Sequence, residues 1–337
     1  MRAGWRCRAV VACACSAVIV AGGVVAFTTR LDAQQASGYK APRTPWGDPD
    51  IQGNYTNLTE AGTPLEKPKE LEGRNLSDIP SEELRAIKRQ AAERTIAAFL
   101  GPEHAPDNWW QDAYRTIERG AQAWLVTDPE DGKIPALTAE GLRKQQALAE
   151  ARKRNTRGPA DSYTDRSLYD RCITRGFPNS GMPTIYGNSS HIVQGPGYVA
   201  ITYEMIHDTR IIPLVERPHS GAAIRGDFGD PRGHWEDETL VVETTNFLER
   251  SAFRNANADR LKVIERFTPT GPKTLRWSVT IDDPTTWTRP WTFSLPLTLN
   301  PSEPLQLYEC HEGNYGLPNI LSAARAEERA AAAVAKP

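Results

Sequence analysis

Between Leu275 and Ile281 every second residue is apolar: Leu275, Trp277, Val279 and Ile281 alternate with Arg276, Ser278 and Thr280. A pleated strand sends successive side chains to opposite faces, so a run with period two has one face for a core and one for water. The pattern recurs in Val199, Ile201, Tyr203 and Met205, and again in Trp291, Phe293, Leu295 and Leu297. Less regular runs cover Leu240–Asn246, Leu261–Thr268 and Leu305–His311. Gly195-Pro196-Gly197, Asp237-Glu238 and Thr270-Gly271-Pro272-Lys273 supply turn chemistry between them. Connections this short join antiparallel neighbours, not parallel ones. About eight or nine strands are predicted over 183–312, a number at which a sheet curls or closes. The predicted fold class is therefore α+β, mainly β: an antiparallel meander closing into a barrel, with N-terminal helices packed on it. A two-layer β-sandwich gives similar alternation and is the alternative.

The rest of the chain is organised differently. Arg2, Arg6 and Arg8 precede an uncharged apolar run from Ala9 to Phe27, and polar residues return at Thr28. That order predicts a secretory signal peptide over 1–33 and a periplasmic or secreted protein, with no stable membrane insertion once the peptide is cleaved. A retained anchor is the competing reading, because the run approaches spanning length. Residues 34–80, rich in Pro and Gly, predict an extended arm anchored by Trp46, Ile51 and Tyr55. The segment 81–172 is helical in pattern. Leu84, Ile87, Ala91 and Ala98 share one face of a helix over 81–100, with Ser81 as N-cap and Glu82 and Glu83 in the first turn. A second helix, with a thin apolar face, is predicted from Thr138 to about Arg154. The barrel domain is assigned to 173–320 and an Ala-rich tail to 321–337.

Forty basic residues against 42 acidic give a net charge of −2, so there is no basic footprint for nucleic acid. Of five cysteines, Cys7, Cys13 and Cys15 leave with the signal peptide, and Cys172 and Cys310 remain. An even pair in an exported chain predicts one disulfide. Two cysteines cannot form a structural zinc site. The chain has no Gly-x-Gly-x-x-Gly run, phosphate loop, His-Glu-x-x-His motif or Gly-x-Ser-x-Gly elbow. Neither a cofactor nor a metal is predicted.

Three of the six histidines stand beside acids in the strand-rich half: His207-Asp208, His234-Trp235-Glu236 and His311-Glu312. Imidazole titrates near neutrality and a carboxylate orients it, which is what general acid–base catalysis needs. These residues form the candidate catalytic set. His207 continues the parity of Tyr203 and Met205 and so points inward at a strand end, while His234 and Glu236 share a face of an extended chain. The plainer readings are an exposed turn, a solvated hairpin and packing beside the disulfide. Glu265 shares parity with Leu261, Val263 and Phe267, which puts a carboxylate on an apolar face, a costly position unless it is paired or protonated. Arg266, Arg276 and Arg289 are the partners considered, and a β-bulge turning Glu265 outward is the alternative. Asp283 precedes Pro284, Trp287 and Trp291, a pairing of carboxylate with indole that suits sugars and is also good turn chemistry. Glu265, Asp283, Trp287 and Trp291, with Tyr203, Trp235 and Trp277, form the candidate ligand-binding set.

Four motifs carry a resemblance: Pro45-Trp46-Gly47-Asp48-Pro49-Asp50-Ile51-Gln52-Gly53; Arg171-Cys172-Ile173-Thr174-Arg175-Gly176-Phe177-Pro178; Gly233-His234-Trp235-Glu236 with Thr239-Leu240-Val241-Val242-Glu243-Thr244; and Cys310-His311-Glu312-Gly313-Asn314-Tyr315. Together they resemble a family of exported bacterial proteins of uncharacterised function. The resemblance implies export and a bacterial source, and it implies no reaction. Where that pattern has Gly after Trp-Glu, this chain has Asp237. The Gly233-His234-Trp235 triplet is similar to the Gly-x-Trp of lipocalins, a low-weight analogy for a barrel.

The function expected is an exported enzyme acting on a small organic molecule, a sugar derivative or an aromatic, by metal-free acid–base chemistry of the lyase, isomerase or hydrolase type. The alternative is a non-catalytic periplasmic β-barrel protein that binds a small ligand. A structural envelope protein is the third reading.

Overall fold

The alternating runs become strands, except Leu305–His311, and five strands that those runs did not mark join them. The computed structural model describes residues 38–100, 114–154, 158, 160–306 and 308–334, so the signal-peptide assignment over 1–33 lies outside the described residues. The strands are β1 (Gly53–Thr56), β2 (Val126–Asp128), β3 (Ser189–Gly195), β4 (Tyr198–Tyr203), β5 (Thr209–Pro213), β6 (Asp230–Glu236), β7 (Thr239–Thr245), β8 (Lys262–Gly271), β9 (Thr274–Asp282) and β10 (Trp291–Leu299). All belong to one sheet in the order β5-β4-β3-β1-β10-β9-β8-β7-β6, with β2 pairing β10 off that path. Every pairing is antiparallel.

Two meanders, β3–β5 and β6–β10, are joined by β1. Tyr55 on β1 stands opposite Ser190 of β3 on one side and Leu299 of β10 on the other. The arm over 34–80 therefore contributes a strand to the wall: Ile51 and Tyr55 are buried as expected, whereas Trp46 is exposed. The result is a nearly closed barrel of nine strands, not a two-layer sandwich. Its seam lies between β5 and β6, which share no ladder among the described residues. Side chains close the seam instead. A Cβ at Gly233 of β6 would stand 2.8 Å from both Ile212 Cγ2 and Leu214 Cδ2, so glycine lets the two strands approach.

The inner face follows the predicted parity. Leu240, Val242, Val263, Phe267, Leu275, Trp277, Val279, Ile281, Trp291, Phe293, Leu295 and Leu297 are all buried in one cluster. Trp277 meets Phe293 edge-on at 5.7 Å, and Trp287 meets Trp291 at the same distance. Offset and edge-on ring pairs of this kind add to the stabilisation that burial provides. The run Leu305–His311 forms no strand among its described residues. Its backbone turns locally, with Cys310 N donating to Tyr308 O and Gly313 N to Glu309 O, which uses groups a ladder would need.

Helix α1 (Ser81–Leu100) has the predicted bounds but a rotated inner face. Leu84, Lys88, Ala92 and Ile96 are the buried residues, at i, i+4 spacing, and Ile87 is only half-buried. Lys88 enters that stripe because its Nζ donates to Gly120 O at 2.6 Å and reaches Glu60 Oε2 at 3.3 Å. Helix α2 (Ala139–Arg154) lies on the surface, capped by Thr138 Oγ1, which accepts from Gly141 N at 3.0 Å. The Ala-rich tail is mostly helix α3 (Gly316–Val334), as alanine favours. A Cys172–Cys310 disulfide spans 138 residues and ties the segment before the barrel to the segment after it. No helix among the described residues is long and apolar enough to cross a membrane.

Candidate functional site

The barrel interior is a packed core holding one polar network. Glu265 points inward with no bulge at its position and is fully buried. Its partner is none of Arg266, Arg276 and Arg289 but Arg210, from the facing strand β5. Arg210 Nη2 donates to Glu265 Oε2 at 2.7 Å and to Thr244 Oγ1 at 3.2 Å. Nη1 donates to Glu265 Oε1 at 3.1 Å and to the Tyr203 hydroxyl at 3.2 Å. Trp277 Nε1 donates to Glu265 Oε1 at 3.0 Å. The guanidinium stacks 3.8 Å from the centre of the Phe177 ring. Burial alone would push Arg210 down, but Glu265 and Tyr203 hold it above the ordinary arginine value. Burial lifts the Tyr203 phenol to about 12. The pair is thus bidentate and satisfied except at Arg210 Nε. The cavity beside it, lined by Asn57, Ser190, Tyr203 and Trp277 among others, is about 20 Å³, enough for a single water.

The predicted site residues disperse over this fold. His234 and Glu236 sit on the outer face of β6, exposed, 3.2 Å apart, with Glu236 also paired to Arg266. His311 and Glu312 are exposed in a turn after the disulfide. Trp277, Trp287 and Trp291 are core residues, and Trp235 is half-buried beside them. Asp283 is a buried turn anchor that accepts from Asn257 N, Thr285 N and Oγ1, and Thr286 N at 2.7–3.1 Å. Among the described residues no group of three His, Cys, Asp or Glu side chains is arranged to hold a metal ion.

His207 and Asp208 do adjoin a concavity. The turn from β4 to β5 carries two successive left-handed residues, Ile206 (φ 63°) and His207 (φ 55°). That conformation is unusual for a β-branched residue and persists only where surroundings hold it. Here they do. Asp208 Oδ2 accepts from Thr174 Oγ1 at 3.0 Å, Arg175 N at 3.4 Å and Ser180 Oγ at 3.5 Å. His207 Nε2 accepts from Tyr308 N at 2.8 Å. One turn thus clamps the 174–180 loop and the segment leading to Cys310. Burial raises the Asp208 carboxyl above its ordinary value, and those hydrogen bonds only partly offset it.

Beside this clamp opens a cleft of about 660 Å³, lined by Tyr169, Arg175, Met182, Ile185, Tyr186 and Met205 among others. Sequence reasoning missed Tyr169, Arg175 and Tyr186. Arg175 Nη1 is buried without a hydrogen-bond partner, and among the described residues no carboxylate forms an ion pair with this guanidinium. Its planar group lies 5.8 Å from the Tyr169 ring centre. Burial pushes its pKa down, opposed by the phenols of Tyr169, Tyr186 and Tyr308 and by Asp208. The Tyr169 phenol is held far above its ordinary value, first by burial and then by hydrogen bonding with Tyr308 and Tyr186. It therefore stays neutral and supplies no counter-charge. Arg175 Nη1 is thus a donor left without an acceptor beside the cleft. Comparison with protein-family models, with curated proteins and with solved structures gave no match.

Proposed function

We propose that this is an exported β-barrel protein that binds a small organic molecule in the cleft at the barrel end, between the 169–186 segment and the β4–β5 turn. The cleft itself carries the reading. Its 660 Å³ falls in the range of small-molecule sites, and its walls mix apolar side chains with a few polar groups. They come from segments distant in sequence and are held together by the Cys172–Cys310 bridge and the Asp208 clamp. The disulfide supports export, since such bonds persist in oxidising compartments.

Binding without turnover accounts for the dispersal of the acid–base residues better than catalysis does. One observation favours the enzyme reading: His207 and Asp208 follow Met205 of the cleft wall, and burial raises the Asp208 carboxyl in the direction a general acid requires.

Both readings are tested by incubating the purified mature protein with fractionated extracts and identifying retained or converted molecules by mass spectrometry. A Met205→Trp variant, which fills the cleft, is the control. A molecule retained unchanged by the wild type and lost by the variant is the expected result. Conversion of the retained molecule would favour the enzyme. Retention that survives Met205→Trp would overturn the cleft as the site.

A further inference from the structure

We propose that the cleft selects monocarboxylates with an apolar body, gripped at the carboxylate by Arg175. This rests on the ligand-binding reading above and narrows it. Charge is the first argument. Arg175 is the cation lining the cleft, and no described acid pairs with it. The Tyr169 phenol against which it packs cannot balance it, because burial and hydrogen bonds with Tyr308 and Tyr186 keep Tyr169 protonated. Asp208 is the acid acting on it at longer range, and its Oδ2 is occupied by Thr174, Arg175 N and Ser180. Arg175 is half-buried against the Tyr169 ring, but its Nη1 is a buried donor without an acceptor; an unsatisfied buried donor costs the fold, and an acceptor arriving through the cleft would relieve it.

Geometry is the second argument. A carboxylate accepts two parallel bonds from a guanidinium, and Nη1 is a buried donor with no acceptor. A dianion such as a phosphate monoester would leave one negative charge unbalanced against a single arginine, so a monoanion fits best. Beyond Arg175 and the tyrosines the wall is mainly apolar, with Thr95, Asn179 and Thr184 as further polar residues. Met182, Pro183, Ile185 and Met205 line it, and methionine side chains adapt to bodies of varied outline.

Matched probes test the claim by equilibrium dialysis: 1-naphthoate against 1-naphthamide, 4-phenylbutanoate against 4-phenylbutanamide, and decanoate against decanamide. At least one carboxylate should bind about tenfold or more tightly than its amide. The preference should collapse to near unity in both Arg175→Met and Arg175→Gln, with circular dichroism confirming that at least one of them folds. Amides binding as well as carboxylates, or a preference that survives both substitutions, would overturn the carboxylate claim while leaving the cleft reading intact if Met205→Trp still abolishes binding. Failure of every probe to bind would remove both.

Discussion

Two arginines stand close to the Phe177 ring, Arg210 buried and Arg175 half-buried, in opposite circumstances. Arg210 inside the barrel meets a bidentate carboxylate, a phenol, a hydroxyl and an aromatic face. Arg175, only two residues from the Phe177 ring on which Arg210 stacks, lies against Tyr169 and has no carboxylate partner among the described residues. A buried charge is tolerable when it is paired and hydrogen-bonded. The first guanidinium is therefore explained by the fold alone. The second is not, and its position in a ligand-sized cleft makes it the informative one. Pairing separates the two cations here.

The largest effect should come from breaking the satisfied pair. Glu265→Leu leaves Arg210 buried and uncompensated and should cost about 3–5 kcal/mol in urea unfolding, whereas the Arg210→Met/Glu265→Leu double variant should recover most of that loss. A loss below about 1 kcal/mol in the single variant would mean the two arginines do not differ as described. Next in size is the disulfide. Cys172→Ala with Cys310→Ala should cost roughly 2–4 kcal/mol in guanidinium unfolding. It should also weaken ligand retention more than Glu265→Leu does at equal folded fraction, because Tyr169 and Tyr308 flank the bridge. Equal weakening in the two variants would show that the bridge has no special hold on the cleft.

A smaller effect separates the two regions by pH. Asp208, on the cleft side, has a raised pKa, so the folded chain holds its proton more tightly than the unfolded chain does. Its contribution to stability is in place below the ordinary aspartate value and is lost as pH rises through the raised one. Asp283, on the barrel side, is also pushed up by burial, but hydrogen bonds from Thr286, Thr285 and Asn257 outweigh this and leave it below the ordinary value. Its contribution is present above the ordinary value and is lost as pH falls through the native one. Denaturant melts from acid to neutral pH should therefore show opposite changes in the pH dependence of stability in Asp208→Asn and Asp283→Asn. The same sign of change in both would contradict the assignment.

What was legible beforehand follows element length. β9 and β10 each repeat the alternation over four inner positions, Leu275 to Ile281 and Trp291 to Leu297, which sets the phase without ambiguity. Glu265 lies in such a series, so its inward direction was readable. Arg210 was not, because β5 has five residues and only Arg210 and Ile212 turn inward, too few to reveal a period. β1 has four residues and a single buried one, Tyr55, so the arm read as irregular chain. The tight local turns around Cys310 broke a run that looked like a strand. The Cys172–Cys310 pairing followed from counting the cysteines left once the expected signal peptide is set aside. Tyr169, Arg175 and Tyr186 sit in loops with no periodicity, and folding alone brings them together. The available hint was that Arg175 stands three residues after Cys172, in the Thr174-Arg175-Gly176-Phe177-Pro178 motif.

The contrast between the two cations is tested most directly by unfolding Arg175→Met and Arg210→Met side by side without ligand. Arg210→Met should lose about 3–5 kcal/mol, because Glu265 is left in the core without its guanidinium partner, while Arg175→Met should match or exceed the wild type. An Arg175→Met variant that loses as much as Arg210→Met would make Arg175 a structural residue and contradict the account.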